Sequence, residues 1–131
     1  MLDAGRGSIV NISSEAGRFP GRGLMPYGVA KAGLNQFTAL LAQELAPKIR
    51  VNTLSLGPIM TPQLKGVLDQ NPDFWKSMVA QIPLGTIGDP HCVALATVFL
   101  CSDASSFITG ALLPIAGGIP GDVAPFNLPD L

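Results

Sequence analysis

The stretch Ser8-Ile-Val-Asn-Ile-Ser-Ser14 decides the fold. A short apolar run rich in β-branched residues, closed by a glycine-containing turn, predicts a buried strand over Ser8–Ser13 with Ser14 at its C-terminal end. Near-continuous apolar strands of this kind occur in parallel sheets covered by helices on both faces. Outward from it, Ala30, Leu34, Phe37, Leu41 and Leu45 recur at spacings of three and four. They predict a helix over Tyr27–Ala46 with that set as its buried face, stopped by Pro47. A second β-rich run, Ile49–Ser55, follows, and Gly57 and Pro58 stand just past its end, where open α/β sheets bind ligands. Two short helices are expected between Thr61 and Pro83, with Pro62 and Pro72 in their first turns. A helix over Asp89–Ser102 and a last strand over Ala111–Ile115 complete the order, and Pro114 assigns that strand to the outer edge of the sheet. The alternation is that of an α/β protein with a parallel sheet of about three strands.

Two side chains on the first expected helix carry chemistry. Tyr27 and Lys31 are four residues apart, so both leave one helix face about one turn apart, and a phenol and an ammonium converge. A phenol is a poor proton shuttle near neutrality unless a fixed positive charge favours its phenolate. So placed, a tyrosine can give a proton to a developing alkoxide or take one from an alcohol, while a serine hydroxyl holds the same oxygen. Ser14 is the candidate for that serine. Ser13 is its rival, and strand alternation sends the two to opposite faces. The implied reaction interconverts an alcohol and a ketone or aldehyde. No side chain supplies hydride, so a nicotinamide cofactor has to lie against the site.

Four ordered runs carry a family likeness: Gly7-Ser-Ile-Val-Asn-Ile-Ser-Ser14-Glu-Ala-Gly17, Tyr27-Gly-Val-Ala-Lys31-Ala-Gly33, Arg50-Val-Asn-Thr-Leu-Ser-Leu-Gly-Pro-Ile-Met-Thr61 and Val98-Phe-Leu-Cys-Ser-Asp-Ala-Ser-Ser-Phe-Ile-Thr-Gly110. Together they resemble the short-chain dehydrogenases/reductases, over Ser8 to about Gly118. The resemblance implies a partial Rossmann-like, doubly wound sheet, with 1–118 the C-terminal catalytic half of a dehydrogenase and 119–131 a loose tail rich in Pro and Gly. It implies Tyr27 as catalytic acid/base, Lys31 as the group that activates it and holds the nicotinamide ribose hydroxyls, and Ser14 as the group that orients the substrate carbonyl. The family's register with Tyr27 favours Ser14 over Ser13. Gly57, Pro58, Ile59 and Thr61 would line the nicotinamide of NAD or NADP. The resemblance also implies a homo-oligomer, dimer or tetramer, for the full-length form, with the Tyr27 helix in one contact and the last helix and strand in another. Leu56 stands where the family usually has Pro, and Ala116 where an Asp often precedes the glycine pair Gly117 and Gly118.

The family's opening strand, glycine-rich turn and helix, which receive the dinucleotide phosphates, have no counterpart here. Gly17-Arg-Phe-Pro-Gly21-Arg-Gly23 contains Pro20 and follows the wrong strand, so it is expected as a connecting loop beside the substrate site. The chain therefore reads as half of a longer enzyme, with the choice between NAD and NADP encoded elsewhere. A second reading is a catalytically incompetent fragment or oligomerisation module, whose first strand keeps an unpaired apolar edge. A serine hydrolase built on Ser14 lacks its parts: Ile12-Ser-Ser-Glu-Ala is no G-x-S-x-G elbow, and His91 is the only imidazole. Phe74 and Trp75 are expected either in the core or in a lid that closes an apolar pocket.

A chain of 131 residues with 47% hydrophobic residues can bury one core. A net charge of −1 argues against a nucleic-acid surface or a polybasic membrane anchor, and Arg6, Arg18, Arg22, Lys48 and Arg50 are spread between elements. No apolar run approaches the ~20 residues that span a bilayer. The start Met1-Leu-Asp-Ala-Gly-Arg6 lacks the pattern of a signal peptide, so a cytoplasmic location is the default. Cys92 and Cys101 on one helix would stand ~13 Å apart, beyond the reach of a disulfide, and are expected as core thiols. His91 has no matching metal ligands and is expected at the surface or in the helix cap.

Overall fold

The computed structural model describes residues 1–121. β1 (Gly7–Ser14), α1 (Met25–Leu45), β2 (Ile49–Leu56), α2 (Pro62–Gln70), α3 (Pro72–Ala80), α4 (Pro90–Cys101) and β3 (Leu112–Ile115) follow in that order, with 3-10 turns at Glu15–Gly17 and Asp103–Ser105. The strands form one parallel sheet in the order β1-β2-β3, so Pro114 lies on an edge strand as its missing N–H requires. β1 runs beside β2 from Gly7↔Ile49 to Ser14↔Leu56, and β2 beside β3 from Thr53↔Leu112 to Leu56↔Ile115. Among the described residues the other side of β1 is unpaired. The expected elements are all present, with ends displaced by one or two residues. α1 starts at Met25 because Pro26 is pre-set for a first helical turn.

Alternation along the strands explains how both faces are covered. The odd-numbered residues face α1: Ala42, Ile49 and Val51 form a buried cluster joined by Ile9, Leu41 and Leu45. The even-numbered residues face the other way, where Ser8 Oγ donates to the Leu100 carbonyl of α4 (2.8 Å) and Asn52 Nδ2 to the Ile108 carbonyl (2.9 Å). Val51 and Leu54 on β2 are each 0% exposed, which stabilises the central strand by roughly 1.5–3 kcal/mol per side chain. A polar rung crosses the α1 seam. Thr38 Oγ1 accepts from Asn11 Nδ2 (2.9 Å) and Thr53 Oγ1 (2.8 Å) and donates to the Leu34 carbonyl (2.9 Å). A second cluster, Leu68, Met78, Ile82, Ile87 and Ile119, fixes α2 and α3 against the chain beyond β3.

Three expectations fail in informative ways. On α1, Ala30 and Phe37 are exposed, and Thr38 and Ala42 are buried in their place. The helix turns its small and hydrogen-bonding residues to the sheet, and an apolar face with Met25, Val29, Phe37 and Leu40 looks outward. Cys92 and Cys101 are both exposed free thiols, because α4 likewise leaves Leu95, Val98 and Phe99 uncovered by the described residues. Packing continues past Gly118, since Ile119 is buried. The rest of the stretch read as a tail, from 122 onward, lies outside the described residues. No described helix is long and apolar enough to cross a membrane.

Candidate active site

Ser14 closes β1, and its Oγ accepts from the Ala16 N–H (3.2 Å) to cap the 3-10 turn that follows. That turn lies directly on α1. A Cβ added to Gly17 would sit 2.7 Å from the Lys31 carbonyl carbon, and one added to Gly28 would sit 2.9 Å from the Ala16 oxygen. Only glycine allows backbones this close, so the pair draws the end of β1 against the first turns of α1. Two bonds hold the contact: Asn35 Nδ2 donates to the Gly17 carbonyl (3.4 Å) and Ser13 Oγ to the Lys31 carbonyl (3.3 Å). The two serines thus divide. Ser13 is buried against the helix, and Ser14 opens on a cleft.

That cleft, of roughly 440 Å³, brings together Ser14, Tyr27, Gly57 and Pro58. Its remaining walls are largely apolar, with Phe19 and Leu24 from the loop before α1 and Leu64, Val67, Phe74 and Met78 from α2 and α3. The loop from Gly17 to Gly23 therefore does stand beside it. Phe74 lines the cleft, whereas Trp75 does not, and Met78 serves both the wall and the core. Tyr27 is 48% exposed. Lys31 Nζ lies 5.6 Å from its ring centroid and donates to the Ile12 carbonyl (3.0 Å), so strand backbone holds the ammonium beside the phenol. Its other N–H groups stay available to a ligand.

The remaining expected residues are placed differently. Ile59 lines an adjoining cavity of roughly 650 Å³ that shares Glu15, Phe19 and Pro58 with the first. Lys31 and Thr61 line neither. Thr61 Oγ1 accepts from the Leu64 N–H (3.2 Å) as the N-cap of α2. The loop from Gly57 to Thr61 is anchored by Gly57 N–H to Ile115 (3.0 Å), Gly88 N–H to Pro58 (3.0 Å) and Met60 N–H to Gly88 (2.8 Å). The Ile59 N–H has no partner among the described residues. One wall residue was not singled out from the sequence. Glu15 is 2% exposed, and Arg18 Nη1 spans its two oxygens at 2.8 and 3.1 Å while the guanidinium lies 5.0 Å from the Phe19 ring centroid. The only sequence signal was the i, i+3 spacing of opposite charges. No three His, Cys, Asp or Glu side chains among the described residues group as a metal site.

Residues 1–120 match the family model described as Enoyl-(Acyl carrier protein) reductase. An uncharacterized oxidoreductase of Mycobacterium tuberculosis is 42% identical over 132 residues, covering 100% of this chain and 50% of the relative. The chain belongs to the short-chain dehydrogenase/reductase family. Among solved structures, a 7α-hydroxysteroid dehydrogenase complexed with NADH and 7-oxo glycochenodeoxycholic acid superposes with a TM-score of 0.86 at 31% identity, over 94% of this chain and 48% of that one. An NADPH-bound short chain oxidoreductase of Pseudomonas aeruginosa PAO1, described as containing an atypical catalytic center, gives a TM-score of 0.77 at 30% identity over 86% of this chain and 45% of that one. This short-chain dehydrogenase/reductase chain spans about half the length of the relatives it matches.

Proposed function

We propose that this chain carries the acid/base half of an NAD(P)-dependent oxidoreductase that interconverts an alcohol and a ketone or aldehyde. The observation that carries the reading is the meeting of Ser14 and Tyr27, from β1 and α1, in one apolar cleft floored by Gly57 and Pro58. In carbonyl reduction the Tyr27 hydroxyl gives its proton to the developing alkoxide, and in alcohol oxidation the phenolate takes it back. Ser14 donates to the same oxygen and fixes its position. The Lys31 ammonium, held by Ile12, stands beside the Tyr27 ring and offers its spare donors to ribose hydroxyls.

The residues present suit a nicotinamide. The Ile59 N–H is an unspent donor beside Pro58, suited to a carboxamide oxygen, and Gly57 leaves no room for a side chain, since a Cβ there would sit 2.9 Å from Ala116 Cα. When bound, the cofactor supplies or accepts the hydride that no side chain can carry. Relatives in complex with NADH and with NADPH support either form. The apolar walls favour a partly apolar substrate, as the 7-oxo steroid bound by one relative is.

Tyr27→Phe tests the assignment in the native enzyme. Reduction of a ketone by NADH or NADPH should fall by ~10²–10⁴-fold, the range for general acid/base catalysis. Unchanged reduction would remove Tyr27 from the mechanism, whereas hydrolysis of an ester by Ser14 would be left largely untouched by the change. A second reading, in which the 131-residue chain by itself is inactive or an assembly module, draws support from the open side of β1 and the outward apolar face of α1. Submicromolar binding of NADH or NADPH by the 131-residue chain would sink it.

A further inference from the structure

The cations of this chain sort by their partners. Arg18, Lys65 and Lys76 each face a carboxylate, on Glu15, Asp69 and Asp73. Lys31 is held by Ile12 beside Tyr27. Arg6, Lys48 and Arg50 have no carboxylate partner among the described residues, and all three line one cleft of roughly 450 Å³. In sequence Arg6 lies far from Lys48 and Arg50, and no local pattern joins them. The parallel register gathers them: Gly7 pairs with Ile49 and Ser8 with Arg50, which sets Arg6 beside Lys48 at the N-terminal ends of the two strands. The Gly7 N–H donates to the Lys48 carbonyl (3.1 Å) and closes the junction.

Arg50 is the fixed member. Its Nη2 donates to the Ser102 carbonyl (3.1 Å) and Nη1 to the Ile108 carbonyl (3.3 Å), which immobilises a half-buried guanidinium and leaves its other N–H groups free to bond. Arg6 and Lys48 are exposed around it, Ser106 adds a hydroxyl at the rim, and Asp103 is the single acid on the cleft among the described residues. Three cations against one carboxylate repel one another unless an anion sits between them. We propose that this cleft binds the phosphate group of a small molecule. A phosphate monoester carries nearly two negative charges and several strong acceptor oxygens, matching two guanidinium forks and an ammonium, whereas a carboxylate offers one charge and one fork. The site lies a strand's length from Tyr27, roughly 25 Å, and is independent of the oxidoreductase reading.

Titration of inorganic phosphate and pyrophosphate into the 131-residue chain at low ionic strength, followed by backbone amide shifts, tests this. Saturable shifts at Gly7, Lys48, Arg50 and Ser106 are expected, absent with acetate or with chloride at matched ionic strength. Arg6→Gln combined with Lys48→Gln, which leaves the Arg50 bonds intact, should weaken phosphate binding at least about tenfold. Asp103→Asn should change it in the opposite sense, tightening it a few-fold. Equal shifts with chloride or acetate, or phosphate affinity insensitive to both changes, overturns the proposal. Should the double variant fail to fold, Asp103→Asn decides alone. A melting temperature that phosphate does not raise in either the parent chain or that variant also counts against the site.

Discussion

The two ends of the sheet are built on opposite principles. At the C-terminal end of β1, Ser14 and Tyr27 sit in a cleft whose walls are largely apolar, with a nearby ion pair, Glu15 and Arg18, closed on itself. At the N-terminal end, Arg6, Lys48 and Arg50 crowd a polar cleft with a single acid on its rim among the described residues. On the readings proposed above, one end serves proton transfer in a largely apolar cleft and the other captures charge from water. A single pair of parallel strands thus carries two unlike clefts, separated by the length of the strands.

The comparison breaks most sharply on Tyr27→Phe, expected to lower ketone reduction by ~10²–10⁴-fold while leaving phosphate shifts at Arg50 untouched. If both ends respond, they are coupled and the separation drawn above is wrong. Ser14→Ala is expected next, at ~10²-fold or more in kcat for loss of an oxygen-positioning donor, while Ser13→Ala should affect stability ahead of rate. Equal kinetic losses at the two serines would erase the division between them. Conversely, Arg6→Gln with Lys48→Gln should leave kcat and KM for the ketone within a factor of about two while reducing phosphate affinity about tenfold.

How far each end was legible follows from the same contrast. Tyr27 and Lys31 announce themselves because helical periodicity converts a spacing of four into a shared face, and Ser14 because a strand end is a recognisable place. The order of strands and helices was legible for the same local reason. The basic cleft was not, since Arg6 and Lys48 become neighbours only through the register of β1 on β2, a long-range pairing that no local pattern encodes. The buried face of α1 is not legible in the pattern because Thr38 looks like a surface residue, and only its long-range partners Asn11 and Thr53 draw it to the sheet. The exposed Cys92 and Cys101 follow from an apolar face of α4 that the described residues leave open, which the helical pattern alone does not reveal.

Two smaller effects sharpen the picture. Thr38→Val strips the hydroxyl from the rung and leaves the Asn11 amide and the Thr53 hydroxyl unsatisfied, at a cost of about 1–3 kcal/mol measured by denaturant melts. Because the rung lies midway along the strands, both clefts should loosen together. Phe74→Ala enlarges only the apolar cleft. It should raise KM for a bulky ketone up to about tenfold, with kcat nearly unchanged, and leave the basic end alone.

The grip of Ser13 on Lys31 has an evolutionary side. Through that bond and the Gly17 and Gly28 contacts, the end of β1 packs directly on the first turns of α1, so the separation of Ser14 and Tyr27 is set by that packing and not by the loop between them. Phe19 and Leu24, which wall the cleft, belong to that loop region. Selection can therefore redraw the shape of the pocket, residue by residue, without disturbing the spacing of Ser14 and Tyr27 on which the proposed chemistry depends.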